Sequence, residues 1–184
     1  LDPFIPNWDA RERYAVTVKA PASVVYRVAM EFDARSLLPV QMLFTLRTRM
    51  MGGTKPEPRG RSLIAETRSL GWGVLDERPG TLYLSGAACR PWIGDVTFTT
   101  VAPERFRDFA EPDQVKIAWS IETTDRDHER SELVSETRVV ATDGEARRKF
   151  LEYWGWARHG IHSIRWFLLP GIRRRAEKLY RRGG

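Results

Sequence analysis

The last forty residues constrain the fold most. Phe150, Trp154, Ala157, Ile161, Ile164 and Leu168 recur at spacings of three and four, which line up at about 100° per residue on one side of a helix. Tyr153, Trp156, Gly160, Ser163 and Phe167 make a second line beside the first. This predicts a long amphipathic helix over 143–182, with Asp143 as N-cap and interruptions near Gly160 and Pro170. An apolar face this wide packs on something broad, and the preceding segments read as a sheet.

"QVKIAWSIETT" alternates, with Val115, Ile117, Trp119 and Ile121 on one face and Lys116, Ala118 and Ser120 on the other. After the charged turn "DRDHER", "SELVSETRVVAT" answers it. Leu133, Ser135, Thr137 and Val139 are expected inside; Glu132, Glu136 and Arg138 are expected outside, the last two as an exposed cross-strand pair. "GWGVLDERPGTLYLSGAACR" reads as two strands around an "RPG" turn, with Gly80 free to take positive φ. "RERYAVTVKA" reads as a first strand, with Tyr14, Val16 and Val18 on one face, and "DVTFTTV" as another strand. "ASVVYRVAMEFD" after Pro21 and "LLPVQMLFTLRTRM" read as two helices, "SLIAETRSL" as a short helix capped by Ser62, and "PERFRDFA" as a turn or two of helix. Helices segregated beside an antiparallel run define an α+β domain, here a single domain over 1–184 with a lead-in segment over 1–10.

Composition narrows the classes. At 184 residues, with 42% hydrophobic and 29% charged residues, the chain suits one soluble globular domain. No run approaches the ~18 apolar residues of a membrane span, and the lead-in is not expected to be a signal peptide. Cys89 is the one cysteine, which excludes an internal disulfide framework and a multi-cysteine zinc site and makes a cytoplasmic location the expectation. The net charge of +6 concentrates partly in the final "RRRAEKLYRR", read as a solvated helix tail; no nucleic-acid module accompanies it.

No nucleophile-elbow, zinc-protease, CxxC, Walker or dinucleotide motif is present, so no catalytic residue is assigned. His128 falls in the charged turn. His159 and His162 fall with Glu152 on the arc away from the apolar lines, which sets aside a zinc site built from the three; no metal and no cofactor are expected. The seven tryptophans carry more information. Trp119, Ile121, Thr137, Val139 and Trp154 are expected to face the space between sheet and helix, as core or as a pocket lining. Tyr83, Ser135 and Thr137 are placed to bond the polar end of a ligand. The stretch from Trp166 to Leu169 with the arginines after it admits a membrane-surface reading, although packing against the end of the sheet is preferred.

Several blocks resemble the helix-grip superfamily, the group of START-type lipid-transfer domains, birch-pollen-allergen-like proteins and polyketide cyclases. "ERYAVTVKAPASVVYRVAMEFD" is similar to its first strand and following helix. "PNWDARERY", "FRDFAEPDQVKIAW", "SETRVVATDGEARRKFLEYW" and "IRRRAE" resemble a bacterial branch of it, with Asp113 standing where that branch leads one to expect Gly. The resemblance covers nearly the whole chain. It implies a curved antiparallel sheet of about seven strands wrapped round the C-terminal helix, with two short helices after the first strand. It also implies an internal hydrophobic cavity, entered near Met30, Phe32, Leu43, Phe44 and Leu46. The expected ligand-binding residues are Met30, Phe32, Phe44, Trp72, Tyr83, Trp119, Ile121, Thr137, Val139, Tyr153, Trp154 and Ile161. The function implied is binding of a lipid or polyketide-like small molecule. A cyclase or dehydratase, or a peripheral membrane lipid-transfer protein, is the alternative.

Overall fold

A computed structural model describes residues 1–33 and 62–183; over 159–165 it describes the helix backbone without the side chains. The expected helix carrying Pro39, Leu43, Phe44, Leu46 and Met50 lies outside the described residues.

Strand β1 (Ala10–Val18) enters α1 (Ala22–Met30) through Pro21, and α2 (Leu63–Ser69) leads into the hairpin β2 (Gly73–Arg78) and β3 (Leu82–Cys89). A single helical turn, α3 (Pro103–Phe106), precedes the long pair β4 (Val115–Asp125) and β5 (Ser131–Ala141), and α4 (Gly144–Gly183) closes the chain. The strands form one antiparallel sheet in the order β1-β5-β4-β3-β2. This first strand beside the last, with a long terminal helix on one face, is the helix-grip arrangement, an α+β fold.

Local chemistry accounts for the boundaries. The Ser62 hydroxyl accepts from Ala65 N at 3.2 Å and starts α2. Gly80 takes φ +87° in the "RPG" turn, a conformation that penalises any side chain. Asp143 Oδ1 accepts from Ala146 N at 2.7 Å and starts α4. Asp113 sits at φ +58°, which explains the expectation of glycine there. Its strained backbone is held at both ends: its N–H donates to Asp143 Oδ2 at 2.6 Å, and its carboxylate takes Lys149 at 2.7 Å.

Three expectations are corrected. The sheet has five strands among the described residues, not about seven. The segment expected as a strand over 95–101 touches the sheet only where Thr99 pairs with Ala88. That segment reaches β3 only beyond Gly86, where β2 has ended, so there is little free edge for it to extend along. Finally, α4 runs without a break through Gly160 and Pro170. A proline removes one backbone donor, and here the apolar contacts on both sides of it outweigh that local loss.

Both faces of the sheet are covered. On the concave face, α4 lays Phe150, Tyr153 and Ala157 against Ala10, Cys89, Val115 and Val139 at one end. At the other end Leu168, Leu169, Ile172 and Ala176 meet Val25, Val28, Ala29, Ile121 and Leu133. On the convex face the lead-in residues Leu1, Phe4 and Ile5 join Phe106 and Phe109 over Leu75, Leu84, Ala88 and Ala118. Gly86 permits this approach, since a Cβ there would lie 2.7 Å from the Phe106 ring.

The convex cover overturns the expectation for Glu136 and Arg138. They do pair on the predicted face, Nε to Oε1 at 2.7 Å, but along β5 rather than across strands, where Arg11 meets Glu136 at 2.9 Å, and both are buried. The lead-in strap folds over them. Arg138 Nη1 donates to Asp2 Oδ1 at 2.5 Å and to Ile5 O at 2.9 Å, and its guanidinium lies 4.5 Å from the Trp8 ring centre. Burial alone would raise the Glu136 carboxyl, but hydrogen bonds from Arg11 and Arg138 outweigh it and hold the group below its ordinary range. Lys116, also buried, donates Nζ to Arg107 O at 2.5 Å, and desolvation pushes its ammonium down.

Candidate functional site

The strand register sorts the concave face into transverse rows. Ala10, Val139, Ile117 and Ala87 form an apolar row near the start of α4. Next come Glu12, Thr137, Trp119 and Ser85, then Tyr14, Ser135, Ile121 and Tyr83. Val16, Leu133 and Thr123 follow toward the far end. The two central rows are therefore polar and aromatic, and apolar packing brackets them on either side. Helix α4 spans from one apolar cluster to the other across these rows.

Most polar side chains in the neighbourhood have partners. Ser85 Oγ donates to Gly73 O at 2.8 Å, Thr123 Oγ1 to Gly80 O at 3.0 Å, and Ser131 Oγ to Ala20 O at 2.8 Å. Tyr14 donates its hydroxyl to Glu12 Oε2 at 2.7 Å, a pair aligned along β1. Ser135 differs. It is 5% exposed, it stands between Tyr14 and Ile121 in the central row, and its hydroxyl has no hydrogen-bond partner among the described residues. A buried hydroxyl without a partner carries a desolvation cost of about 1–3 kcal/mol.

A second polar group stands where α1 and α2 meet the hairpin. Tyr26 donates to Leu82 O at 3.2 Å and lies 3.4 Å from Glu77 Oε1. Arg68 Nε reaches the Tyr83 hydroxyl at 3.4 Å and its guanidinium sits 5.7 Å from that ring. Burial, with the Glu77 carboxylate beside it, raises the Tyr26 phenol to about 12, so it stays a donor at any physiological pH.

The twelve residues expected to bind ligand fall into distinct places. Trp119, Ile121 and Thr137 lie in the central rows. Tyr83 ends a central row but is fully buried against Tyr26 and Ile64. Met30 and Phe32 pack in the cluster at the far end of α4. Val139, Tyr153 and Trp154 pack at its near end, where Trp154 lies against Phe150 with ring centres 5.6 Å apart. Trp72 stacks on Phe98 at 5.0 Å, beside the hairpin edge. Phe44 and the Ile161 side chain lie outside the described residues, as do the side chains of His159 and His162. Trp156, expected to share the wall with Tyr153, is 43% exposed; Tyr153 alone turns inward.

Sequence reasoning passed over Glu12 as a site residue. Its signal was a carboxylate on the alternation face of Tyr14, Val16 and Val18, an apolar face where a charge needs a reason. Tyr26, Arg68 and Glu77 gave no such signal, because they come from three elements distant in sequence.

No group of three or more His, Cys, Asp or Glu side chains converges among the described residues. No described helix is long and apolar enough to cross a membrane. A surface cleft of ≈ 310 Å³ opens where the β2–β3 turn meets the end of β4 and the start of α1, and its Asp125 is already engaged in capping α1 through Ala22 N at 2.7 Å.

No protein-family model and no curated protein matches the chain. Solved structures align along nearly all of it. A hypothetical protein of Helicobacter pylori is 10% identical, over 96% of this chain and 94% of that one, with a TM-score of 0.43. A solution structure from Thermobifida fusca is 14% identical, over 92% and 94%, with a TM-score of 0.42. The Zhui aromatase/cyclase from Streptomyces sp. R1128 is 14% identical, over 92% and 94%, with a TM-score of 0.33. With all three scores below 0.5, the fold assignment stands on this chain's own strand order and terminal helix.

Proposed function

We propose that the protein holds a small hydrophobic molecule with one polar end between the central rows of the sheet and α4. Support comes first from Ser135, whose buried hydroxyl lacks a partner among the described residues while its neighbours on the sheet are satisfied. A ligand hydroxyl or carbonyl at that point removes the desolvation cost. Trp119 and Ile121, opposite Thr137 and Ser135, supply the apolar wall for the rest of the molecule. The ligand class is lipid or polyketide-like, since a strip of hydroxyls between apolar ends suits an extended molecule with sparse oxygens.

The Tyr14–Glu12 pair favours a second reading, a cyclase or dehydratase. A phenol bonded to a carboxylate can pass a proton to or from a bound oxygen while the apolar walls shape the chain. The two readings separate on whether the released ligand is altered.

The test is native mass spectrometry of the protein as purified from cells, with extraction and identification of what accompanies it. A co-purifying small molecule is expected. Its occupancy is expected to drop about tenfold in Trp119→Ala, by loss of an aromatic wall. A chain that carries nothing and takes up no apolar probe overturns the proposal.

A further inference from the structure

One surface is left unused by any reading of the concave face. Along α4, Leu168, Leu169, Ile172 and Ala176 are buried, but Trp166 is 68% and Phe167 41% exposed. The stretch expected either to plug the sheet or to meet a membrane thus divides, its leucines inward and its aromatics outward. At about 100° per residue, Trp166, Phe167, Arg174, Lys178 and Arg181 fall within one sector of about 120° on the outer side. The stripe is about 22 Å long, from fifteen residues at about 1.5 Å each.

Its charge is one-sided. After Glu152 the sequence contains a single acid, Glu177. That carboxylate is occupied, accepting from Lys19 N at 3.1 Å and from Arg173 Nε at 3.0 Å. Arg174, Lys178 and Arg181 are exposed and form no ion pair among the described residues. Arg181 also donates Nε to the Glu177 backbone carbonyl at 3.2 Å. Two aromatic and three cationic side chains therefore share one face. A second copy docked parallel would set cations against cations, and one docked antiparallel would bring the cations of both copies into one interface with no free carboxylate, so the complementary partner is anionic. A nucleic-acid backbone would meet the cations but leave the indole and phenyl rings in water. An acidic bilayer meets both, since rings settle among the headgroups and cations among the phosphates.

We propose that the outer face of α4 from Trp166 to Arg181 docks the protein on membranes rich in anionic lipid. The experiment is co-sedimentation of the full chain with phosphatidylcholine vesicles that contain or lack phosphatidylserine. Phosphatidylserine is expected to raise partitioning by about tenfold or more, an effect that salt reverses. Combined Arg174→Glu, Lys178→Glu and Arg181→Glu substitution is expected to abolish that gain, and Trp166→Ser with Phe167→Ser to weaken binding several-fold. All five positions are exposed, and circular dichroism checks that the variants stay folded. If they do not, quenching by bromolipid provides the second measurement, where Trp166→Phe is expected to lose most of the signal seen for the unaltered chain. Equal partitioning to both vesicles overturns the proposal. So does a Trp166→Ser variant that dissociates a dimer but binds vesicles unchanged, or charge variants that lose affinity for duplex DNA alone.

Discussion

The two faces of this sheet differ in how completely they satisfy their buried polar groups. On the convex face Glu136, Arg138 and Lys116 are buried, and each is matched by a partner from the lead-in strap, a neighbouring strand or the turn after α3. On the concave face Ser135 is buried as deeply and has no partner among the described residues. Burial alone therefore does not separate a polar group that is hydrogen-bonded from one that is not. The separation lies in whether the protein itself completes the hydrogen bonding.

The largest test of this contrast is Arg138→Ala. It removes the donor to Asp2, Ile5 O and Glu136 together, leaves the buried Glu136 carboxylate hydrogen-bonded by Arg11 alone among the described residues, and is expected to cost about 2–3 kcal/mol in urea unfolding. A loss under about 1 kcal/mol would mean that the strap does not hold the convex face.

Acidification probes the same network more gently. The folded-state pKa of Glu136 is depressed, so its contribution is present above the unfolded value near 4.3 and is lost as pH falls through the folded value. Glu136→Gln should thus flatten the decline of stability below about pH 4. An unchanged acid limb in the variant would assign acid sensitivity to other carboxylates.

The smallest effect gives the sharpest contrast. Ser131→Ala breaks a bond to Ala20 O and should cost about 1 kcal/mol, whereas Ser135→Ala removes a buried hydroxyl without a partner among the described residues and should stabilise the ligand-free protein by about 1 kcal/mol. Equal costs for the two serines, which both lie on the concave face, would mean that Ser135 is satisfied like its neighbours.

Much of the architecture was legible in the sequence because its signals are local. Alternation over Val115–Ile121 and Leu133–Val139 fixed which side chains share a face, and Ser62, Gly80 and Asp143 marked turns and caps through their own hydrogen bonds or dihedrals. Alternation does not reveal what covers a face. Glu136 and Arg138 point as predicted, yet nothing within β5 signals that Ile5 and Trp8 return across them. The segment around Thr99 has strand-like composition, but pairing depends on an available edge, a property of the assembled sheet. The same limit applies to Trp156, whose helical spacing permits burial but which packs its ring on Tyr153 and stays 43% exposed. For the site, Trp119 and Thr137 followed from periodicity, while the isolation of Ser135 depended on neighbours supplied by other strands.

Helix α4 is tied to the rest of the chain near both ends. Asp143 joins its first turn to the entry of β4, and Glu177 joins its last turns to the end of β1. The two ties are thirty-four residues apart, about 50 Å at about 1.5 Å per residue. One residue added between them would turn the far half by about 100°, carrying Leu168 and Ile172 off the sheet and Glu177 away from Lys19. The helix therefore works as a fixed-length spacer. A change of its length would cost far more than a conservative change of residue type along it.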